Sequence, residues 1–289
     1  MQSILQNNIS FIYGEYYFHI SNIIDSLYQK DGKVKPFEGK TALITGSGRG
    51  IGSAIAMHFA ELGADIVINY VHNQQPADKT AEEISLIGGK VIVVRANVGK
   101  TDGLEKLFSE AKSQFGKLDF FISNAASGFN RPAMEQKESG WEHTMNVNAK
   151  AFLFGAQLAV KMMESTGGGK IVAITSPGAD RVLPDYVAVG ASKAALNSLI
   201  KYLAVELAPR NIVVNGIAPG IVETGALDHF AFMEDKNVLS RAIKNTPAGR
   251  LVTPRDIAEV AAFLCSPAAE MIRGQIIAVD GGYTLPVPG

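Results

Sequence analysis

From Lys40 to the end of the chain, seven short apolar runs alternate with segments of helical periodicity, and this alternation restricts the fold more than any other feature. Short runs of this kind are typical of parallel strands that helices cover on both faces. The predicted strands are residues 41–45, 65–69, 90–95, 118–123, 170–175, 212–217 and 275–280. The most regular helical segments are residues 53–62, 105–115 and 191–207. The sequence therefore predicts an α/β protein with one seven-stranded parallel sheet in a single domain.

Charge and cysteine content exclude several classes of partner. The 289 residues include 27 basic and 28 acidic side chains, which gives a net charge of -1. No excess of positive charge therefore favours binding to nucleic acid or to an anionic membrane. Cys265 is the only cysteine, and the five histidines lack the spacing of metal ligands. No apolar run is long enough to span a bilayer. We therefore expect a metal-free protein of a reducing compartment, the cytoplasm.

Residues 1–36 differ from the rest of the chain and are predicted to form an N-terminal extension ahead of a domain at 37–289. The extension does not resemble a secretory signal, because no Lys or Arg precedes Lys30 and because Glu15 and His19 interrupt its apolar run. Its apolar residues at helical spacing predict an amphipathic helix that docks on the body of the protein or on a neighbouring subunit. These residues are Ile20, Ile23, Ile24, Leu27 and Tyr28.

The first predicted strand leads through a glycine-rich loop directly into a helix. In a Rossmann fold, such a loop lets the backbone approach a pyrophosphate, while free N–H groups and the helix dipole stabilise the phosphate charge. The position of the loop between a strand and a helix, with further βα units after it, favours dinucleotide binding over a merely structural turn. The predicted cofactor-binding residues of this loop are Gly46, Ser47, Arg49, Gly50, Ile51 and Gly52.

The end of the second strand predicts which dinucleotide binds. An acidic residue there would accept the ribose hydroxyls of NAD, but the sequence from Asn69 to Asn73 contains no carboxylate. Arg49 in the glycine loop could instead pair with a 2′-phosphate, unless it is only a solvated surface charge. We therefore expect NADPH as the cofactor, with Asn69 among the residues that contact it.

Residues 37–283 resemble the short-chain dehydrogenase/reductase family at several fixed points, beginning with the Gly-x-x-x-Gly-x-Gly spacing of the loop. Resemblance implies that Asn97 and Val98 contact adenine and that the loop after the fourth strand contacts the cofactor. It also implies that a later loop holds the nicotinamide carboxamide. The residues at these last two positions are Asn124, Ala125 and Ala126, followed by Ser127 in place of the family's glycine, and Pro219, Gly220, Ile221 and Thr224.

The catalytic element departs from the commonest pattern of that family. Most members carry Tyr-x-x-x-Lys, but here Val189 stands four residues before Lys193. Tyr186 stands seven residues before Lys193, nearly two helical turns, so the two side chains share one face if the helix begins early enough. The phenol is thereby displaced by about 4.5 Å along the axis. Such a displacement suits hydride transfer to the β carbon of an unsaturated thioester, whose oxygen lies further away than in a ketone.

Tyr-x6-Lys is also the spacing of enoyl-acyl-carrier-protein reductases. The sequences around it, at 124–128, 145–151, 185–196 and 245–250, resemble the NADPH-dependent type III enzyme. Resemblance implies a trans-2-enoyl thioester of acyl carrier protein or coenzyme A as the substrate, in fatty-acid or related acyl biosynthesis. It also implies a homotetramer in which the helices around 152–163 and 191–207 pair across subunits.

We expect each catalytic residue to have one role. Tyr186 hydrogen-bonds the thioester oxygen as it becomes an enolate, and Lys193 binds the nicotinamide ribose and biases Tyr186 electrostatically. Ser176 shares the oxyanion or positions the substrate, and Asn148 organises a proton-supplying water. Residues 225–250 form an insertion that either lines an acyl tunnel or packs as a surface helix.

Two alternatives stay open. One is a short-chain carbonyl reductase or alcohol dehydrogenase acting on a 3-oxoacyl-type substrate, with Tyr186 protonating a ketone oxygen. Pro219 and Gly220, which match the ordinary form of the family, keep this reading open. The other is a non-catalytic cofactor-binding protein, suggested only by the missing Tyr-x-x-x-Lys.

Overall fold

The computed structural model describes residues 35–223 and 238–285. Within these residues the strands form a single parallel sheet in the order β3-β2-β1-β4-β5-β6-β7, which confirms the predicted α/β fold. The strands are β1 Thr41–Ile44, β2 Asp65–Tyr70, β3 Val91–Arg95, β4 Phe120–Ser123, β5 Gly169–Ile174, β6 Ile212–Pro219 and β7 Ile276–Val279. The order reverses between β1 and β4, and ligands of open α/β sheets bind at the carboxyl ends of strands beside such a reversal.

Helices cover both faces of the sheet. On one face lie α1, α2 and α8, and on the other α3, α5 and α6. The described helices are α1 Gly50–Glu61, α2 Gln75–Leu86, α3 Thr101–Phe115, α4 Glu138–Met145, α5 Ala151–Met163, α6 Val187–Glu206, α7 Val238–Asn245 and α8 Pro254–Cys265, with a π-helical segment at Asn146–Lys150 between α4 and α5. Both α1 and α6 begin a few residues earlier than the sequence predicts. Because α6 begins at Val187, Tyr186 is its N-cap residue and not part of its first turn.

The central strands alternate their side chains between two apolar cores. In β1, Leu43 belongs to the core under α3, α5 and α6, whereas Ala42 and Ile44 belong to the core under α1, α2 and α8. In β4, Phe121 and Ile122 divide in the same way. All five side chains are fully buried, and each large one contributes about 2 kcal/mol relative to an exposed position. This double burial explains why the strands are recognisable as continuous apolar runs.

The described chain enters the fold at the amino ends of the strands. Phe37 packs with its ring centroid 5.1 Å from that of Phe59 and 4.7 Å from that of Phe120. Its backbone N–H donates to the carbonyl of Leu62 at the end of α1. The predicted amphipathic helix of the N-terminal extension falls within residues 1–34 and lies outside the described residues. So does the first half of the 225–250 insertion, residues 225–237, while its second half contains α7.

Candidate active site

The glycine loop at the end of β1 is held tightly against the neighbouring strands. Gly46 has a φ of +64°, in the left-handed region that favours glycine, and a β-carbon there would lie 2.9 Å from Cα of Ala125. A β-carbon on Gly52 would lie 2.5 Å from the carbonyl oxygen of Gly46. Asn124 donates from Nδ2 to the carbonyls of Thr45 and Gly46, at 2.9 and 3.1 Å. The loop therefore has one fixed shape and requires glycine at two of its positions.

The amino end of α1 is suited to a phosphate group. Its N-cap residue, Arg49, makes no side-chain capping hydrogen bond, and the first turn contains no acidic side chain. Among the residues described, no side-chain oxygen accepts from the N–H groups of the first turn, Gly50 to Gly52, and the positive end of the helix dipole adds to their attraction for an anion. Arg49 itself is exposed, next to this helix end. This donor set fits a dinucleotide pyrophosphate.

Asn69, predicted to contact the cofactor, turns its side chain inward. Its Oδ1 accepts a hydrogen bond from the N–H of Gly46 at 3.1 Å, and its Nδ2 donates to the carbonyl of Ala96 at 3.0 Å. Ser47, the next residue of the loop, exchanges hydrogen bonds with the Asn69 backbone, through its N–H and its hydroxyl. The Asn69 side chain is buried. Its hydrogen bonds hold the glycine loop in place from inside the protein. The position of Asn69 in the sequence did not predict this role.

The other predicted cofactor residues lie at the same edge of the sheet. Asn97 follows β3 and accepts the N–H of Gly99 at its Oδ1, while Val98 is buried. Ala126 is exposed beyond β4. The remaining predicted positions come after β6: Gly220 donates its N–H to the carbonyl of Val279, and Pro219, Ile221 and the bridge at Val222 continue the backbone away from the sheet. Thr224 lies outside the described residues.

Tyr186 and Ser176 are brought together at the end of β5. The phenol Oη of Tyr186 donates to Oγ of Ser176 at 3.5 Å, and the Ser176 hydroxyl also accepts the N–H of Gly178 at 3.1 Å. The tyrosine ring lies over the backbone of Gly178, where a β-carbon would come within 2.6 Å of Cε1. Burial raises the pKa of the Tyr186 phenol, and the hydrogen bond to Ser176 only partly opposes this. The phenol is therefore protonated at neutral pH and able to donate a hydrogen bond.

Lys193 reaches the same short segment from one face of α6. Its Nζ donates to the carbonyl oxygen of Ile174, two residues before Ser176, at 2.7 Å. Burial of the ammonium lowers the pKa of Lys193 to about 8. The structure thus brings both Tyr186 and Lys193 to the end of β5.

Position 189, where the commonest Tyr-x-x-x-Lys pattern would place the tyrosine, is occupied by a buried valine. Val189 is buried, and the loop after β4 covers it at Gly128. A β-carbon on Gly128 would lie 2.2 Å from Cγ2 of Val189. A side chain at position 189 therefore packs under this loop. The contacts of Tyr186, in contrast, place its phenol beside Ser176.

Asn148 lies in the π-helical segment and uses its side chain entirely inside the protein. Its Oδ1 accepts the N–H of Ser127 at 2.8 Å, and its Nδ2 donates to the Ser127 carbonyl and to Oγ of Ser192, both at 2.9 Å. It joins the loop after β4 to the residue before Lys193. The Asn148 side chain could therefore organise a water only by giving up one of these bonds. Ser127 Oγ is also 3.0 Å from Nε2 of His143, a pair that sequence reasoning did not identify.

The described parts of the chain contain no group of three or more His, Cys, Asp and Glu residues arranged to hold a metal ion. None of the helices described is both long and apolar enough to cross a membrane.

Comparison with known proteins gives three kinds of match. A family model described as enoyl-(acyl carrier protein) reductase matches residues 46–284. The chain is 36% identical to 1-cyclohexenylcarbonyl-CoA reductase of Streptomyces collinus, over 86% of this chain and 88% of the relative. It is 37% identical to 7α-hydroxysteroid dehydrogenase of Escherichia coli strain K12, over 85% and 94%. A solved 7α-hydroxysteroid dehydrogenase complexed with NADH and 7-oxo glycochenodeoxycholic acid matches with a TM-score of 0.81, 36% identity and coverage of 85% and 94%.

Proposed function

The chain belongs to the short-chain dehydrogenase/reductase superfamily of oxidoreductases, and we propose that it reduces the carbon–carbon double bond of a trans-2-enoyl thioester with NADPH. The observation that carries this proposal is the position of the phenol. Tyr186 contacts Ser176 from seven residues before Lys193, while position 189 is covered by Gly128. A donor set back along the axis suits an oxygen that lies three bonds from the carbon that receives hydride, whereas a ketone oxygen is bonded to that carbon directly.

The residues present fit a nicotinamide dinucleotide. The first-turn N–H groups of α1 would hold the pyrophosphate, and Asn97 and Val98 would lie beside the adenine. When bound, the nucleotide supplies the hydride. Lys193 would exchange its bond to the Ile174 carbonyl for the ribose hydroxyls, and Gly220 and Ile221 would adjoin the nicotinamide. The tight loop at Gly46 supports this assignment, because a phosphate needs close backbone approach there.

Tyr186 and Ser176 have complementary hydrogen-bonding capacity for a developing oxyanion. Ser176 Oγ already accepts from Gly178 and Tyr186, so both of its lone pairs are used and its own hydrogen remains for a substrate oxygen. The bond from Tyr186 is long at 3.5 Å and therefore weak enough to be replaced by one to the thioester oxygen. Two donors would then face the enolate oxygen in a partly buried site, where such donors have their largest effect.

Preference for NADPH over NADH rests on charge. Arg49 is exposed at the amino end of α1, and its guanidinium makes no hydrogen bond or ion pair within the described part of the chain. The segment that follows β2 contains no carboxylate that would repel a 2′-phosphate. An arginine in this position is suited to bidentate pairing with phosphate oxygens.

Reduction of a ketone is the second candidate. The same Ser176 and Tyr186 donors could hold a carbonyl oxygen, and Pro219 and Gly220 match the ordinary form of the family. The hydroxysteroid dehydrogenase relatives are similar to this chain to the same degree as the CoA reductase.

The acyl carrier, protein or coenzyme A, is part of the proposal and not of the family assignment. So are the homotetramer and the cytoplasmic location.

Two parallel assays test the proposed reaction. The purified protein is mixed with NADPH and either crotonyl-CoA or acetoacetyl-CoA, and with the same acyl groups on acyl carrier protein, while absorbance of the reduced nucleotide is followed. We expect oxidation with the crotonyl thioesters and little with the acetoacetyl ones. Oxidation with acetoacetyl thioesters alone would support the ketone reductase. Binding of NADPH without turnover of any of the four would leave only a cofactor-binding protein.

A further inference from the structure

The turn that delivers Tyr186 contains a backbone conformation that non-glycine residues rarely adopt. Asp185 has a φ of +58° and directly precedes the phenol. In the described residues it shares this conformation, among non-glycine residues, only with Asn211, at +56°. Left-handed geometry costs an ordinary L-residue free energy, and asparagine and aspartate tolerate it best. A residue held there beside an active site indicates that the surroundings impose the conformation.

The four residues Leu183 to Tyr186 form a tight turn of defined type. Pro184 is its second residue and fixes φ near −65°, Asp185 is its third with positive φ, and the N–H of Tyr186 donates to the carbonyl of Leu183 at 3.3 Å. This is the pattern of a type II turn, whose third position favours glycine. The last residue of the turn is also the N-cap of α6. The turn therefore sets where the phenol enters the site.

A second loop supports the turn from outside. The N–H of Arg131 donates to the carbonyl oxygen of Asp185 at 2.7 Å. Arg131 is in turn fixed by Gln136, whose Nε2 donates to the Arg131 carbonyl at 2.7 Å, and by its own Nη1, which donates to the Glu135 carbonyl at 3.3 Å. The side chain of Asp185 is exposed and has no hydrogen-bond partner among the described residues. The contact thus depends on the backbone of Asp185, not on its carboxylate.

We infer that Asp185 is a positioning residue for the reaction: its left-handed backbone, held by the loop 131–136, places the Tyr186 hydroxyl beside Ser176. Where a catalytic tyrosine lies within a helix, the helix itself fixes the position of the phenol. Here the phenol precedes the helix, so the turn has to supply that constraint. The inference rests on the proposed role of Tyr186, and it holds for a thioester or a ketone substrate alike.

The test compares substitutions at position 185 that differ in tolerance of positive φ. Asp185→Gly should keep kcat within about twofold of the parent, because glycine adopts the conformation freely. Asp185→Val should lower kcat by roughly tenfold or more, since a β-branched residue disfavours it. For both variants, KM and the dissociation constant of NADPH, measured by its fluorescence, should stay within about twofold, because no contact to the nucleotide is altered.

A matched control and a second variant make the result decisive. Asn211→Val imposes a similar backbone penalty before β6, at the amino ends of the strands, and should lower Tm without changing kcat. Gln136→Leu weakens the supporting loop and should lower kcat in the same direction as Asp185→Val. Equal kcat in Asp185→Val and the parent would overturn the inference, and so would equal losses in the glycine and valine variants. Tyr186→Phe, measured alongside, separates the two proposals: full activity in that variant rejects the role of Tyr186 itself.

Discussion

A β-carbon on Gly128 would lie 2.2 Å from Cγ2 of Val189, so the loop after β4 rests directly on the helix position four residues before Lys193. Thr144 also approaches that position of the loop, its Cγ2 3.5 Å from the same hypothetical carbon. The loop therefore covers the Val189 side chain, whereas the phenol of Tyr186 lies elsewhere, beside Ser176.

Gly128→Ala should destabilise the protein and lower kcat, because the added methyl overlaps the Val189 side chain. Overpacking of this kind costs about 1–3 kcal/mol in the free energy of unfolding. Val189→Ala removes the overlapping atom, so the double variant should be more stable than the sum of the two single changes implies. Urea unfolding followed by Trp141 fluorescence on all four proteins measures this coupling. Strict additivity would show that the two residues do not touch.

Tyr186→Phe should lower kcat by roughly a hundredfold or more, the usual contribution of a positioned proton donor, with little change in NADPH affinity. The added prediction is that Tyr186→Phe/Val189→Tyr stays inactive, because the restored phenol enters the covered position. Stopped-flow turnover and fluorescence titration with NADPH on both variants provide the check. Recovery of activity in the double variant would mean that the loop at Gly128 moves aside.

The parallel sheet and its seven strands follow from local sequence, whereas the details of the site do not. Apolar runs such as β1 are recognisable because both of their faces are buried, and the glycine loop because its place between a strand and a helix is visible in the sequence. The π-helical turn at Asn148 is different: it coincides with hydrogen bonds to Ser127 and Ser192, which are distant in sequence. The inward turn of Asn69 toward Gly46 has the same origin. Such contacts form only when the chain is folded, so no local sequence pattern predicts them.

Arg49→Ala should reduce kcat/KM for NADPH by about tenfold to a hundredfold, the effect of losing a hydrogen-bonded charge pair of roughly 1.5–3 kcal/mol. In contrast, kcat/KM for NADH should hardly change, because NADH lacks the 2′-phosphate. Arg210→Ala is the control, because that exposed arginine pairs with Glu164 before β6, far from the glycine loop. An equal loss for both nucleotides would show that Arg49 acts on the pyrophosphate or on folding and not on the 2′-phosphate.

Activity should fall as pH rises through about 8, because burial lowers the pKa of Lys193 to about 8 and the reaction uses the ammonium form. In the free enzyme this group is charged below that pH and neutral above it, so kcat/KM should report the transition. The assay is kcat/KM with NADPH across the neutral to alkaline range. A profile that stays flat through this range would show that the ammonium is not required or that its pKa is higher.

The free energy of unfolding, in contrast, should rise with pH between about 8 and 10.5. The ordinary pKa of lysine is 10.5 and the folded value is about 8, so between them the unfolded chain binds more protons and stability rises with pH. The difference in unfolding free energy between the parent and Lys193→Met should therefore change by roughly 3 kcal/mol across that interval. Urea unfolding of both proteins at several pH values measures it. A constant difference would show that the pKa of Lys193 is not lowered in the folded protein.

The contact of Phe37 with Phe59 and Phe120 determines where the described chain leaves the body of the protein. The three rings lie at the amino ends of β1 and β4, whereas Gly46 and Tyr186 lie at the carboxyl ends. A label, tether or fusion partner joined immediately before Lys35 would therefore project from the side opposite the candidate active site. Immobilisation through that end leaves the carboxyl ends of the strands, where the candidate site lies, facing free solution, provided that Phe37 is retained to anchor the junction.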